Sequence, residues 1–552
     1  MFCYQCEGTQ RNDVVLGCNT LVGNCGKTAE TADLQDLLLY AITGLSSYAS
    51  IANKYQISKP NVDHLVMEAV FSTLTNVNFD PKRIEDYLRD VVKLREELKQ
   101  KILDFASKSN TIIDLPAYPS VTFKPANSIG ELIDQALEIG FDARTLIAGE
   151  DIAGMYGFVL YGIKGAAAYT NHALLSGGNI ESAVNQLHDA LAFLAQESTN
   201  LNDYIDWAMK VGAANYSAME SLDSAHTKKF GHPEPTRVRI SSVAGKAILV
   251  SGHDIHDLEK LLQQTVGKGI NVYTHGEMLP ANAYPELKKY PHLVGNFGGA
   301  WHKQKVEFSR FPGAVLMTSN CLIEPQVAYK ERLFTANAVG WSGIPHIKDG
   351  DYTPLIEAAL NAPGFTSDAP EKFITIGFAH NTVISLADDV VAAVKSGAIK
   401  HFYLVGGCDV STPDGDYYGD FARMVPKDSV ILTLGCAKYR FNRDDFGDIN
   451  GIPRVLDMGQ CNDAYSAIQV ALTLAKAFDC SVNELPLTLV VSWFEQKAVA
   501  IMLTLLYLGL ENIYWGPKLP AFATPNILQL LESRFKLIPI STAEKDLART
   551  LH

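Results

Sequence analysis

The chain has 552 residues, 47% of them hydrophobic and 20% charged, with a formal net charge of −14. That length is too great for one hydrophobic core and predicts about three or four domains. The acidic balance, with no Lys/Arg block, argues against nucleic acid and anionic membrane as partners. It leaves a small substrate or a basic redox partner.

Four of the nine cysteines open the chain: Cys3, Cys6, Cys18 and Cys25, a C-x2-C-x11-C-x6-C run. Four thiolates on one short loop can wrap a single metal centre. Both an iron–sulfur cluster and a tetrahedral structural zinc suit such a set. The x11 and x6 gaps differ from paired C-x2-4-C zinc knuckles and favour iron–sulfur. A ligand at Cys3 leaves no room for a cleaved leader, so Met1 is expected to be the true start and the protein cytoplasmic. Cysteines in a leaderless protein point to metal sites more than to disulfides. The longest apolar stretch, residues 498–510, is 13 residues long and contains Thr504 and Tyr507. It is too short to span a bilayer.

Residues 1–235 read as a helical domain carrying the cysteine loop. An N-cap at Thr31 leads into an apolar stripe, Leu34, Leu38, Ile42, Leu45 and Ala49, at helical spacing. A second such helix is expected over 155–173. Leu39/Leu160, Tyr40/Tyr161, Ile42/Ile163, Gly44/Gly165 and Tyr48/Tyr169 coincide at an offset of 121. Two helices can share a pattern by chance, but a duplicated helical bundle accounts for it better.

After the Pro-bearing stretch 231–235 the period changes. Apolar runs at 247–250, 272–273, 314–317, 373–376, 402–405, 430–434, 454–456 and 487–491 alternate with helical patterns such as 254–265 and 462–478. Alternating β and α segments imply parallel sheets wound in α/β fashion. A Pro/Gly-bearing stretch within 361–370 separates two such domains, 236–370 and 371–552.

In open α/β sheets, sites form at the carboxyl ends of strands. Here those ends carry His253, His275, Glu277, Cys321, Cys408, Cys436, Cys461, Glu495 and Lys497. A lone Cys after a strand is usually a small buried hydrophobe. Four of them at strand ends in one half of the chain outweigh that reading. His275 is as consistent with a satisfied buried histidine as with a ligand, and Glu277 and Glu495 with helix N-terminal acids. Cys480, at a helix end without a glycine turn, reads as structural. Soft thiolates mixed with imidazole and carboxylate suggest irons of partly harder character with an open position. Neither a Walker A sequence nor a G-x-G-x-x-G fingerprint is present, so electrons are not expected from a nicotinamide bound here.

Met1-Phe-Cys-Tyr-Gln-Cys6, Ser251-Gly-His-Asp254, Thr274-His-Gly-Glu-Met-Leu-Pro-Ala281, Thr318-Ser-Asn-Cys321, Gly406-Gly-Cys-Asp409, Gly435-Cys-Ala-Lys-Tyr-Arg440, Gly459-Gln-Cys-Asn-Asp463 and Trp493-Phe-Glu-Gln-Lys497 together resemble the hybrid cluster protein (prismane, hydroxylamine reductase) family. The likeness runs over essentially the whole chain. It implies a hybrid [4Fe-2O-2S] cluster held by His253, Glu277, Cys321, Cys408, Cys436, Cys461 and Glu495, with a persulfide at Cys408. It also implies a helical domain of two three-helix bundles and two Rossmann-like α/β domains, with the cluster where they meet. The long N-terminal spacing goes in that family with a [2Fe-2S] cluster, the shorter one with [4Fe-4S]. The long form is paired with an NADH-dependent flavin/iron–sulfur reductase. Val410 departs from the pattern, since Gly commonly follows the Gly-Cys-Asp motif.

The resemblance implies reduction of hydroxylamine to ammonia and water with two electrons and two protons. Glu495, Lys497 and His275 are the candidates for proton supply, and Thr75 and Asn76 match a segment that approaches the site. Two rival functions stay open. One is reduction of nitric oxide to nitrous oxide in nitrosative stress defence. The other is non-catalytic: an electron carrier, or a protein that passes NO to target thiols.

Overall fold

A computed structural model describes residues 3–9, 17–18, 22–408, 410 and 415–551. Met1 and Phe2 of the first motif, and Asp409 of the Gly-Gly-Cys-Asp motif, lie outside the described residues.

The helical part is a repeat. Helices Ala29–Lys54, Pro60–Ser72 and Pro81–Ser109, of 26, 13 and 29 residues, are followed by Glu150–Leu175, Glu181–Leu194 and Leu201–Phe230, of 26, 14 and 30. Both ends of the first helix recur 121 residues later. The first helix starts ahead of the expected cap: Thr28 is the N-cap, and its hydroxyl accepts the Thr31 N–H at 3.2 Å. Each short middle helix lies more heavily against the first long helix of the opposite triad than against its own. Glu181–Leu194 docks on Ala29–Lys54 through Ser50 to Asp189 at 2.6 Å and Ser46 to His188 at 3.1 Å. Phe71 of Pro60–Ser72 meets His172 edge-on at 5.1 Å. The duplicated halves are thereby interlocked around one apolar core.

The repeated glycines each seat a piece of foreign backbone. A Cβ on Gly44 would lie 2.2 Å from the Ser120 carbonyl oxygen, and one on Gly165 would lie 2.5 Å from that of Gln496. The second contact holds helix Gln496–Tyr507, from the far end of the chain, against the helical domain. Only a residue without a side chain allows this approach.

Two all-parallel sheets follow. The first has five strands in the order Leu293–Asn296, Ile270–His275, Lys246–Ser251, Ala314–Met317, Leu333–Thr335. The second has six, in the order Val455–Asp457, Ser429–Thr433, His401–Gly406, Leu487–Ser492, Tyr514–Gly516, Ile538–Pro539. Counted along the chain these orders are 3-2-1-4-5 and 3-2-1-4-5-6, so each sheet reverses direction between its first and fourth strands. Doubly wound sheets bind ligands at that switch point.

Residues 373–376, expected as part of a parallel sheet, are not in one. Phe373–Ile376 pairs antiparallel with Thr236–Arg239, forming a two-stranded neck where the chain enters and leaves the first α/β unit. The 361–370 stretch lies back along that unit, with Phe365 paired to Gly245 and Ala369 N–H donating to the Ser242 carbonyl at 3.0 Å. Among the described residues, no helix is long and apolar enough to cross a membrane.

Candidate metal centre

The two switch points face each other across one small cavity. Its walls carry His253, Glu277 and Cys321 from the first sheet's strand ends, and Cys408, Cys436, Cys461 and Glu495 from the second's. Gly407, at φ 129, makes the convergence possible: a Cβ there would strike the Ser492 carbonyl oxygen at 2.1 Å. Cys321 takes a φ of 84, a backbone conformation that a non-glycine residue adopts only where the surroundings impose it.

Three ligand-capable atoms already meet. His253 Nε2 is 3.3 Å from Cys461 Sγ and 3.7 Å from Glu277 Oε2. The ring is oriented from behind, since Ser319 Oγ accepts the His253 N–H at 2.7 Å and lies 3.0 Å from Nδ1. Gln460 ties the two segments together, its amide donating to the His253 and Glu277 carbonyls at 3.2 and 2.6 Å. Cys461 N–H donates to Glu277 Oε2 at 2.7 Å, while Oε1 is buried without a partner. A buried carboxylate oxygen left so costs about 1–3 kcal/mol or more unless something binds it.

Electrostatics asks for the same thing. Burial pushes the thiols of Cys321, Cys408, Cys436 and Cys461 well above the usual range. Burial, then the Lys497 charge, holds the His253 imidazole neutral. Lys497 is the cation beside this acidic set: burial would lower it, but Cys461, Glu495 and Cys321 hold it above its ordinary value. The four thiols and the Glu495 carboxyl, all raised by burial, become stable anions only with added positive charge, and metal cations supply it. The donor set, soft sulfur with imidazole and carboxylate, fits iron.

Lys497 is clamped by two asparagines that the strand-end reading passes over. Its ammonium donates to Asn320 Oδ1 at 3.1 Å and Asn462 Oδ1 at 3.3 Å, and stands 5.8 Å from the Tyr169 ring centroid. Asn320 also donates to Glu495 Oε1 at 3.3 Å. Glu495 caps helix Gln496–Tyr507 through the Lys497 N–H at 2.9 Å, and burial raises its carboxyl. Thr75 and Asn76 line the same cavity.

His275 stands apart. Its Nδ1 hydrogen-bonds with Ser251 Oγ and its Nε2 with Glu307, each at 2.9 Å, and its ring packs on Phe308. It is not among the cavity's lining residues. Cys480 packs at the edge of the main core.

The second cysteine set surrounds its own cavity. Cys3, Cys6, Cys18 and Cys25 line it with Lys27, and Cys18 N–H donates to the Cys3 carbonyl at 2.8 Å. Burial raises the thiols of Cys3, to about 11, and of Cys6. Trp301, Phe494 and Thr75 line both cavities. Val410, the departure noted above, lines the N-terminal cavity and packs into the apolar cluster around Trp301 and Phe494. Trp301 follows strand Leu293–Asn296, which is too short to show as an apolar run, so the sequence carries no signal for it.

A buried thiol-rich site at the switch points and a second, partly exposed one at the N-terminus of a doubly wound scaffold define a metal-dependent oxidoreductase. The chain belongs to the Prismane/CO dehydrogenase family, which matches residues 1–548. It is 51% identical over 551 residues to a protein named hydroxylamine reductase from Burkholderia lata, covering 100% of this chain and 99% of that one. It is 50% identical to a hydroxylamine reductase from Thermodesulfovibrio yellowstonii, covering 99% of each. The fold is similar to that of a carbon monoxide dehydrogenase from Thermococcus sp. AM4, at a TM-score of 0.55 and 15% identity, covering 99% of this chain and 90% of that one. It is likewise similar to carbon monoxide dehydrogenase IV from Carboxydothermus hydrogenoformans, at 0.55 and 15%, covering 97% and 89%.

Proposed function

We propose that this protein reduces hydroxylamine, NH2OH + 2e⁻ + 2H⁺ → NH3 + H2O, in the cavity between the two sheets. The observation that carries the reading is the convergence of His253, Glu277, Glu495 and four strand-end thiols on one enclosed space. These seven residues would hold a hybrid [4Fe-2O-2S] cluster, with a persulfide at Cys408. When bound, such a cluster supplies reducible iron with a Lewis-acidic open position. The names of the relatives support the substrate.

The chain's own residues do the rest. Lys497 holds a proton beside the ligand set, and Asn320 and Asn462 aim its ammonium. Glu495, joined to Lys497 through Asn320, is the second acid–base candidate. His275, with both nitrogens engaged and outside the cavity lining, orients the strand end. The N-terminal set would carry a [2Fe-2S] cluster, or in the alternative [4Fe-4S], closed and suited to single-electron relay. Its reductant would be an NADH-dependent flavin/iron–sulfur reductase.

One observation favours a second reading. An almost wholly apolar pocket, lined by residues such as Leu434, Ile468 and Leu505, reaches Cys408, Cys461, Glu495 and Lys497. Such a lining suits nitric oxide better than hydroxylamine. Ammonia and nitrous oxide formation from the two substrates, measured side by side under strict anaerobiosis, tests both. Hydroxylamine reduction predicts stoichiometric ammonia at the higher kcat/KM. Nitrous oxide alone would overturn it.

A further inference from the structure

The turn after helix Pro60–Ser72 reaches the metal cavity from the helical domain, and both α/β units hold it there. Thr75 N–H donates to Gln496 Oε1 at 3.0 Å. The Asn76 carbonyl accepts the Leu322 N–H at 2.9 Å, and the Val77 carbonyl accepts the Gly340 N–H at 3.2 Å. Leu322 follows Cys321 and Gln496 follows Glu495, so the turn is fixed to the neighbours of two residues of the ligand set. Within it Asn76 takes a φ of 62. Asparagine tolerates this left-handed conformation, and most other residues resist it.

Among the described residues, the polar side chains that line the cavity outside the seven-residue ligand set are Thr75, Asn76, Asn320 and Trp301. The Thr75 hydroxyl donates to the Gln5 carbonyl at 3.3 Å and accepts from the Gln496 amide at 3.2 Å. Asn320 is engaged by Lys497 and Glu495, and the Trp301 indole donates to the Cys408 carbonyl at 2.9 Å. Asn76 differs. It is 3% exposed, and its Oδ1 is buried without a hydrogen-bond partner. Glu277 Oε1 shares that condition, but Glu277 belongs to the ligand set and Asn76 does not. A buried acceptor left unpaired is costly and calls for an explanation.

What the atom lacks is a donor. Bridging sulfide and oxide are acceptors, as Oδ1 is, so the cluster inferred above does not satisfy it. Hydroxylamine brings N–H and O–H donors, whereas nitric oxide has no hydrogen to give.

We propose that Asn76 is the substrate-recognition residue of the cavity. Its Oδ1 accepts a hydrogen bond from an N–H or O–H of hydroxylamine, and it thereby selects small hydrogen-bearing N–O molecules over nitric oxide. This rests on the reductase reading above. No bond forms or breaks at Asn76 and no proton is transferred to it; the residue holds the substrate in the cavity. A site built around a polar atom discriminates against a ligand that leaves that atom unpaired.

The test uses anaerobic holoprotein and Asn76→Gly, since glycine keeps the left-handed backbone while the acceptor is removed. Hydroxylamine and nitric oxide are titrated separately, without reductant, against the spectrum of the inner centre, and hydroxylamine turnover is then measured. Loss of one buried hydrogen bond should raise the hydroxylamine Kd and KM about tenfold, with kcat little changed and nitric oxide affinity within about twofold of wild type. If Asn76→Gly does not load its inner centre, Asn76→Ser, whose oxygen stops one bond short, is read in its place. Unchanged hydroxylamine affinity in a loaded variant overturns the proposal, as does equal weakening of both ligands. An altered Mössbauer spectrum of the substrate-free inner centre overturns it too, because Asn76 would then be a ligand to iron. Failure of the reductase reading looks different: wild-type protein would form no ammonia from hydroxylamine, while the affinity comparison could still be read.

Discussion

Replacing Gly165 by alanine tests how the far end of the chain is held to the helical domain. The added Cβ would lie 2.5 Å from the Gln496 carbonyl oxygen and 2.6 Å from Ala500 Cβ, against 3.4 Å for ordinary contact. Helix Gln496–Tyr507 must then retreat by a sizeable fraction of an ångström, taking with it Glu495 at its cap and Lys497 in its first turn. Overpacking of this kind costs about 1–3 kcal/mol. Removing a mid-helix glycine returns roughly 0.5–1 kcal/mol. A net loss of about 1–2 kcal/mol is expected. Activity should suffer more, because a misplacement of about 1 Å in a reacting constellation costs on the order of 100-fold; a tenfold or greater fall in kcat is the expectation. Urea unfolding and anaerobic hydroxylamine turnover are the assays. Gly130→Ala, whose Cβ meets nothing within 4 Å, is the control and should be neutral or slightly stabilising. A Gly165→Ala protein as stable and as active as wild type would show that this contact does not hold the helix in place.

Other outcomes follow from the same geometry. Glu495→Ala or His253→Ala leaves the thiols in place, so each should lose most turnover while the N-terminal centre keeps its absorption spectrum; near-normal reduction by either removes that residue from the ligand set. Cys18→Ser or Cys25→Ser should damage the N-terminal centre alone, abolishing reductase-driven turnover while a small chemical reductant still supports much of it. Equal loss with both electron sources, the inner centre intact, contradicts the relay. His226 is buried against Ser176 and its imidazole is held down to about 3, first by burial and then by the nearby His172 charge. The unfolded state therefore binds one more proton between about pH 6.5 and pH 3, so this contribution is complete above pH 6.5 and is lost as pH falls, by roughly 1.4 kcal/mol per unit. His226→Leu should flatten the acid limb of the stability–pH curve, and an unchanged acid limb would show that His226 is not responsible.

Much of the architecture is written in the sequence because strongly periodic elements carry it. The Leu34-to-Ala49 stripe and its echo 121 residues on mark the duplicated helices, and five-residue apolar runs mark the central strands. Short edge strands such as Leu333–Thr335 and Ile538–Pro539 are too brief for any period to show. The apolar run at 373–376 pairs antiparallel because its partner, Thr236–Arg239, lies before the first sheet; periodicity reports that a strand exists and is silent on its neighbour. In the site, the single cysteines after glycine turns are legible because the turn and the thiol together are rare. His275 shows the limit of that rule. It is the last residue of its strand, paired with Ser251, and its side chain faces Ser251, Glu307 and Phe308. Glu277, two residues on and past the φ 58 turn at Gly276, faces the cavity. Asn320, Asn462, Trp301 and Phe494 have no distinctive spacing at all, since their roles come from strand ends far apart in the chain meeting at one point.

Two distinct iron centres, and not zinc, are expected to occupy the two thiol sites. Metal analysis of anaerobically purified protein, combined with Mössbauer spectroscopy of iron-57-enriched samples, tests it most directly. Negligible zinc and two separable groups of iron signals are expected. One group, all-thiolate in character, should disappear in Cys18→Ser; the other, with nitrogen and oxygen character, should change in Glu495→Ala. Stoichiometric zinc with little iron, or a single group of iron signals lost as a whole in either variant, would contradict it.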